Sequence, residues 1–282
     1  MKHRISDALK VGVEKLSNKE RPRLEAEILL AFILGVERIY LHTHCDEFLK
    51  DWMIQDFVSK LERLQQDEPI EYLIGSVSFY GYRWRIQQGV LIPRPETEIL
   101  IERASLWIEQ YKINRVFELG VGSGVISIML ALLHPNLEII GSDINPRAIS
   151  LSQVNLEDFA QNYDQTLKNR VKFHQIDVLS NRDFFLGESF DLLISNPPYI
   201  ANHFPLPANV QYEPKDALFG GDGGEEMLYA LVDLAQEMRI PYLACEMGYD
   251  QREKMSKKLK DSQYLEFYQD LSGLDRGFLS IL

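Results

Sequence analysis

Phe190-Asp191-Leu192-Leu193-Ile194-Ser195 is an apolar run that leads directly into Asn196-Pro197-Pro198-Tyr199. The run is typical of a buried strand in a parallel sheet. Ligands of open parallel sheets bind at the carboxyl ends of the strands, and two consecutive prolines fix the backbone there. The Asn196 amide and the Pro197 carbonyl could therefore hold a planar amide substrate. Read alone, Asn-Pro-Pro could also be a simple strand terminator.

Around this run, from residue 115 to the end of the chain, strand signals alternate with helix signals. Such alternation predicts an α/β fold built from parallel βαβ units with right-handed crossovers. Residues 264–269 and 277–282 have no helix between them, which predicts an antiparallel hairpin at the sheet edge. Residues 201–224 are rich in Pro, Gly and Asn and predict a long loop. Loops of this length are usually functional or disordered. The other predicted strands are 116–119, 138–142, 171–176, 190–195 and 242–246.

The amino-terminal part shows helical periodicity over residues 5–66. Pro22 suits the first turn of a second helix and Gly35 its exit. We therefore expect a helical bundle domain in residues 1–75, a β-hairpin linker in 76–92 and the α/β domain in 93–282. A helical extension of one larger domain is the alternative.

Charge and composition restrict the class of protein. The net charge is −12; residues 1–85 carry 13 Lys and Arg against 14 Asp and Glu, and residues 86–282 carry 17 against 28. This acidity argues against binding nucleic acid mainly through phosphates. Two distant cysteines, no apolar run of membrane-spanning length and no signal peptide pattern predict a cytoplasmic protein without membrane contact.

A glycine-rich stretch follows the first strand of the α/β domain: Glu118-Leu119-Gly120-Val121-Gly122-Ser123-Gly124. Glycines in this setting let a nucleotide-like ligand approach the backbone, although a plain tight turn has the same composition. A dinucleotide pattern expects Gly or Ala where this chain has Val125, so a ligand without a pyrophosphate fits better.

Acidic residues follow the next two strands. Asp143 follows the glycine-rich stretch at about the spacing in sequence at which nucleotide-binding folds place a carboxylate that accepts hydrogen bonds from the ribose hydroxyls. Its alternative interpretation is a helix cap. Asp177 would lie where its side chain could contact the amino group of an adenine. Its alternative interpretation is an ordinary loop residue. The six histidines are scattered, so we predict no metal site. Arg94 stands between two prolines without a local explanation.

Taken together, these motifs resemble the class I methyltransferases that use S-adenosylmethionine. More closely, the chain resembles the HemK/PrmC-type protein glutamine methyltransferases, which modify the Gly-Gly-Gln glutamine of peptide chain release factors. Besides Asn196–Tyr199, the resemblance covers residues 91–98, 190–195, 212–218, 220–224 and 246–251, and 270 with 273–276.

This resemblance implies a Rossmann-like fold with a mostly parallel seven-stranded sheet, an antiparallel carboxyl-terminal hairpin and a helical bundle before it. It implies S-adenosylmethionine as cofactor and a class I release factor as substrate. Asn196, Pro197 and Tyr199 are the expected catalytic residues, and Pro198 and Arg94 would also contact substrate. The expected cofactor residues are Glu118, Gly120, Val121, Gly122, Ser123, Gly124, Asp143, Asp177, Val178 and Asn196.

Two other functions remain open at this point. An amino-group methyltransferase of DNA or RNA has to orient a planar amine, much as a glutamine methyltransferase has to orient a planar amide. Such an enzyme is expected to have a basic channel, but residues 86–282 are acidic. A noncatalytic cofactor-binding interaction protein is the alternative from another class.

Overall fold

The computed structural model describes residues 3–185 and 187–282, which divide into two compact units. The first unit extends to Ser76 and also contains Pro207–Tyr212. The second contains Val77–Leu206 and Glu213–Leu282.

Helices with buried apolar faces form the first unit. As predicted, Pro22 occupies the first turn of one helix, and Gly35 ends that helix with a φ of 68°. Phe57 and Leu61 belong to the common core. The Tyr212 hydroxyl donates a hydrogen bond to the Gln66 carbonyl at 2.7 Å. The helices are α1 (Ile5–Lys15), α2 (Pro22–Leu34), α3 (Arg38–Thr43), α4 (Asp51–Gln65) and α5 (Ile70–Ile74).

A two-stranded hairpin follows these helices. Tyr80 and Gly81 form its turn, with φ values of 52° and 75°, as a type I′ turn requires. Trp84 is fully buried and stacks on Phe159 with ring centroids 4.1 Å apart, so the hairpin packs on the core of the second unit. The strand pairing ends at Arg85, short of the predicted boundary at residue 92. Its strands are β1 (Ser76–Phe79) and β2 (Tyr82–Arg85).

The predicted mostly parallel seven-stranded sheet is present in the second unit. Its central strands are parallel, and the last two form the predicted antiparallel hairpin at one edge. In order across the sheet, the strands are β10 (Tyr264–Gln269), β11 (Asp275–Ile281), β9 (Tyr242–Glu246), β6 (Leu192–Ser195), β3 (Arg115–Leu119), β4 (Glu138–Asp143) and β5 (Val171–Gln175).

Helices cover both faces of this sheet. Successive residues of β3, Val116 and Phe117, belong to two different hydrophobic clusters, because side chains alternate across a strand. One cluster contains residues of α6 (Glu96–Tyr111), α7 (Val125–Leu133), α8 (Pro146–Asn162) and α9 (Leu167–Arg170); the other contains residues of α10 (Glu226–Glu237) and α11 (Arg252–Lys258). None of the described helices is long and apolar enough to cross a membrane.

Residues 219–224, the last part of the segment 201–224 for which the sequence predicts a long loop, lie against the turn after β6. Within them, β8 (Phe219–Gly221) pairs in parallel with β7 (Ile200–Ala201). Gly224 has a φ of 90°, and a Cβ built on it would lie 2.5 Å from the carbonyl oxygen of Tyr199. A side chain at this position would therefore push directly on the Asn-Pro-Pro-Tyr turn.

Gly224→Ala should destabilise the protein by about 2–4 kcal/mol, because the new methyl group adds overpacking to an unfavourable φ. Gly273→Ala is the matched control: Gly273 also has a positive φ, 78°, but a Cβ there would meet no atom within 4 Å. Urea unfolding of the two variants separates the cost of overpacking from the cost of the unfavourable φ. Equal losses in both would show that the contact with the turn contributes nothing.

Candidate active site

The carboxyl ends of β4, β3 and β6 lie side by side, because the three strands are parallel and adjacent. A cavity of about 370 Å³ opens at this edge of the sheet, within the size range of small-molecule sites. The structure brings seven of the predicted site residues together in its wall: Gly120, Gly122, Asp143, Asp177, Val178, Asn196 and Pro198.

The glycine-rich turn forms the floor of this cavity. Gly120, Gly122 and Gly124 all have positive φ, of 80°, 56° and 86°. The Gly120 amide donates to the Ser142 carbonyl at 2.8 Å, and the Gly122 amide donates to the Asp143 carboxylate at 2.9 Å. The turn is thus held by the end of β4 and leaves open backbone facing the cavity.

Asp143 stands between the glycine turn and the start of α8. Its second carboxylate oxygen accepts from the Asn145 amide at 2.8 Å. Burial raises the pKa of Asp143, and the hydrogen bonds from Gly122 and Asn145 oppose that shift. Asn145 itself caps α8 by accepting from the Arg147 amide, so Asp143 does not serve as the helix cap.

Asp177 and Val178 lie on another side of the cavity. Asp177 is exposed and accepts hydrogen bonds from the amide and the hydroxyl of Ser180, at 3.2 and 2.6 Å. Val178 is buried and gives this wall an apolar surface. Each residue therefore shapes the loop after β5 and also faces the cavity.

The Asn-Pro-Pro-Tyr turn begins directly at the end of β6. Asn196 is half-buried, and its Nδ2 donates to the Thr97 hydroxyl at 3.0 Å. Thr97 in turn donates to Glu246 at 2.7 Å, and the Tyr199 hydroxyl donates to the other oxygen of Glu246 at 3.0 Å. Gln251 donates to the Tyr199 carbonyl at 2.9 Å. Side chain and backbone of the turn are both fixed.

The environment of Glu246 shifts two pKa values. Burial, opposed by the hydrogen bonds from Thr97 and Tyr199, raises the pKa of Glu246 to about 7. Burial and the nearby Glu246 carboxylate raise the pKa of Tyr199 far above its ordinary value. Tyr199 therefore keeps its proton and acts as a hydrogen-bond donor at neutral pH.

Glu118 lies fully buried below the glycine turn. One carboxylate oxygen accepts from both the amide and the hydroxyl of Ser127. The other oxygen, Oε1, has no hydrogen-bond partner among the described residues. Burial raises the pKa of Glu118 to about 8, against the two bonds from Ser127. An unpaired buried carboxyl oxygen is costly and is a common sign of a missing polar partner.

The remaining predicted residues are not among those that line the cavity. Val121 and Pro197 are buried, and the Ser123 carbonyl accepts from Asn155 at 2.8 Å. Arg94 forms an ion pair with the buried Glu213, whose other oxygen accepts from the Ile92 amide at 3.0 Å. This pair ties the segment before α6 to the segment before β8.

Sequence reasoning did not place Thr97 and Glu246 in the site. Thr97 lies in the first turn of a helix, and Glu246 ends a strand far away in the chain, so no local pattern connects them. It also missed apolar residues of the cavity wall such as Leu91, Ala217 and Met227. No group of three or more His, Cys, Asp or Glu side chains in the described ranges could hold a metal ion.

Glu118→Gln should change how stability depends on pH. The pKa of Glu118 is raised, so the carboxyl stabilises the fold below about pH 4.5 and that contribution is lost as pH rises towards 8. The free energy of unfolding of the wild type should fall relative to the variant by up to about 1.4 kcal/mol per pH unit in that window.

Urea unfolding at several pH values measures this difference. Glu253→Gln is the control, because the hydrogen bond from Lys257 lowers the pKa of that exposed carboxyl. A gap between wild type and Glu118→Gln that stays constant with pH would contradict the assignment.

Comparison with solved structures shows the same fold. The N-terminal domain of human METTL16, in a complex with SAH, matches with a TM-score of 0.51 and 13% identity, over 96% of this chain and 94% of that one. The hMettl16 catalytic domain in complex with a MAT2A 3′UTR hairpin matches with a TM-score of 0.53 and 15% identity, over 84% of both chains.

Sequence comparison is more specific. Residues 7–75 match the PrmC N-terminal domain, and residues 96–209 match the methyltransferase small domain. A release factor glutamine methyltransferase of Clostridium acetobutylicum is 31% identical over 99% of this chain and 98% of that protein. The protein of the same name from Dictyoglomus turgidum is 34% identical over 92% and 91%. With this identity over nearly the full length of both chains, the protein belongs to the release factor glutamine methyltransferase family.

Proposed function

We propose that this protein transfers a methyl group from S-adenosylmethionine to the side-chain amide nitrogen of a glutamine in a peptide chain release factor. One observation supports this most directly. A half-buried, hydrogen-bonded Asn196 lies in the wall of a cavity that also contains the glycine turn and Asp143. In this proposal, the cofactor and the substrate amide bind in one cavity.

The residues in and around the cavity suit this cofactor chemically. Gly120 and Gly122 allow close approach to the backbone, and Asp143 has further lone pairs for ribose hydroxyls beside the two it uses. Asp177 and Val178 would contact the adenine. Glu118 Oε1, which has no partner among the described residues, would be satisfied by a cationic ammonium group or a water bound to it. Val121, Ser123 and Gly124 would hold the turn in place.

When bound, S-adenosylmethionine supplies an activated methyl group on a sulfonium. The protein has to orient an amide nitrogen, which is a poor nucleophile because its lone pair is delocalised. Asn196 Oδ1 and the Pro197 carbonyl would accept its two N–H bonds, while Pro198 and Tyr199 pack beside it. Placing the nitrogen in line with the methyl group supplies much of the rate by proximity and preorganised dipoles.

No strong base is needed in this scheme. As the amide nitrogen gains positive charge, its hydrogen bonds to Asn196 and Pro197 become stronger, because a charged donor binds more tightly. The proton can leave late, to water. Arg94, fixed by Glu213, would contact the substrate at the edge of the site.

The proposed partner is a class I release factor that exposes its Gly-Gly-Gln loop. The first 85 residues have nearly balanced charge, 13 basic against 14 acidic, which suits a protein surface better than a polyphosphate. We propose that the helical unit recognises a surface remote from that loop. Such a substrate places the protein in the cytoplasm, where the free thiols of Cys45 and Cys245 are also expected.

Mass spectrometry tests the function directly. Purified protein is incubated with release factor and labelled cofactor, and the substrate is then digested and analysed. We expect one methyl group on the glutamine of Gly-Gly-Gln. Methylation of DNA or RNA without methylation of release factor would overturn the proposal in favour of a nucleic-acid enzyme, and cofactor binding without any transfer would favour a noncatalytic protein.

Two substitutions at the cavity should have separate effects. Asn196→Ala should lower turnover by about 100-fold or more, since one preorganised polar contact is worth about 3 kcal/mol in the transition state, and should change cofactor affinity only mildly. Asp143→Asn should weaken cofactor binding by about 10- to 100-fold. Equilibrium titration and turnover assays measure both. Near-normal turnover in Asn196→Ala would refute the amide-binding role of Asn196. Unchanged cofactor affinity in Asp143→Asn would refute the ribose-binding role of Asp143.

Recognition by the helical unit is tested on its surface. Ile39 and Trp52 are large apolar residues that are 69% and 54% exposed. Replacing both by Ala should lower kcat/KM on whole release factor at least about 5-fold, or about 1 kcal/mol, and leave a short Gly-Gly-Gln peptide unaffected. Leu106→Ala in the second unit, 58% exposed, is the control. Equal losses on protein and peptide would contradict remote recognition.

A further inference from the structure

Behind Asn196, three buried or half-buried side chains form a chain of hydrogen bonds. Thr97 and Glu246 are 2% and 1% exposed. Thr97 Oγ1 lies 3.0 Å from Asn196 Nδ2 and 2.7 Å from Glu246 Oε2, and Tyr199 Oη lies 3.0 Å from Glu246 Oε1. Of these four side chains, only Asn196 and Tyr199 reach bulk water. The side chains themselves therefore decide which group donates and which accepts in each hydrogen bond.

The ionised carboxylate of Glu246 determines the direction of every bond. A carboxylate has only acceptors, so both the Thr97 and the Tyr199 hydroxyls must donate to it. The Thr97 hydroxyl has one proton, which is then used, and its oxygen can only accept from Asn196. Accepting requires the NH₂ group of the Asn196 amide. The amide oxygen is therefore directed away from Thr97 and is free for the cavity that Asn196 lines.

This orientation matters for the proposed reaction, on which the inference rests. The substrate amide nitrogen offers two N–H donors, and Asn196 must present oxygen to them. A flipped Asn196 would present its own NH₂ group, and two donors would then face each other. We infer that Glu246 is a positioning residue that, acting through Thr97, fixes which end of the Asn196 amide meets the substrate.

Tyr199 is oriented by the same residue. The second oxygen of Glu246 holds its hydroxyl, and Gln251 holds its backbone carbonyl at 2.9 Å while accepting from the Gly248 amide at 2.8 Å. Glu246 and Gln251 lie at the end of β9 and just after it. One segment therefore fixes both ends of the Asn-Pro-Pro-Tyr turn, through Thr97 at the first residue and directly at the last.

Protonation of Glu246 would remove the fixed direction, because a carboxylic acid has a donor of its own. The charged and titratable groups around it come from several elements: Glu96 on α6, Arg276 on β11, Tyr268 on β10 and Tyr199. Glu96 favours the protonated form and Arg276 the ionised form. With a pKa raised to about 7 by burial, Glu246 loses its charge just below neutral pH.

Three variants test the inference by turnover on release factor. Thr97→Val keeps the shape of the side chain and removes the hydroxyl, so kcat should fall at least about 10-fold with cofactor affinity unchanged. Thr97→Ser restores the hydroxyl and should remain within about 3-fold of wild type. Ser280→Ala, which removes another buried hydroxyl bonded at 2.9 Å to the Tyr264 carbonyl, should leave kcat unchanged.

Glu246→Gln supplies the test of direction. Gln can accept from only one of the two hydroxyls, so kcat should fall while the protein stays folded and binds cofactor. The wild-type kcat should also drop as pH falls below about 7, and this step should be absent from the variant. A folded Thr97→Val or Glu246→Gln protein with wild-type kcat would overturn the inference, as would a Thr97→Ser protein as impaired as Thr97→Val.

Neutron diffraction of the deuterated wild type reads the orientation without reference to turnover. We expect two deuterons on the Asn196 atom that faces Thr97 and one between Thr97 and Glu246. Deuterons on the cavity-facing atom would overturn the inference even in an active enzyme. An inactive wild type with the expected deuterons would instead refute the proposed function and leave the positioning of Asn196 established.

Discussion

Parallel pairing of β3 with both β4 and β6 is the constraint on which the site depends. In this register Glu118 lies opposite Gly141 on one side and Ile194 on the other, so the three following loops emerge at the same level. Only then can the Gly122 amide reach Asp143, and the Ser195 hydroxyl reach the Leu119 carbonyl at 2.6 Å. A shift of one residue in either pairing would turn the core side chains to the wrong face and separate these bonds.

The sequence predicted the parts of this arrangement that depend on local pattern. The strand Tyr242–Glu246 has the predicted bounds, because a short, mostly apolar segment that follows a proline and ends in a charged residue marks its own ends. Fold class followed from the alternation of such segments. The cavity could also be anticipated, since adjacent parallel strands bring the residues after them to one edge and those residues include glycines, carboxylates and an amide.

The contacts that orient the site residues were not predictable in this way. Thr97 and Glu246 are 149 positions apart, and their bond depends on how α6 packs against the sheet. The same holds for Arg94 with Glu213, 119 positions apart. Residues 201–224 have the composition of a loop, and their pairing with β7 arises because glycines allow their backbone close to the Asn-Pro-Pro-Tyr turn. Each is a tertiary contact with no period or motif of its own.

The buried carboxylates suggest why such contacts persist. Glu118 and Glu246 lie in the interior with hydroxyl or amide donors as hydrogen-bond partners, and ionising a buried carboxyl group that neutral groups hold costs stability. A well-packed apolar pair in place of Glu246 and Thr97 would favour folding. It would also remove hydrogen-bonding groups that distinguish the two ends of the Asn196 amide, since apolar contacts are indifferent to the exchange of oxygen and nitrogen. Direction in a polar network requires a member that can only accept or only donate, and an ionised carboxylate is the strongest acceptor of that kind available to a protein.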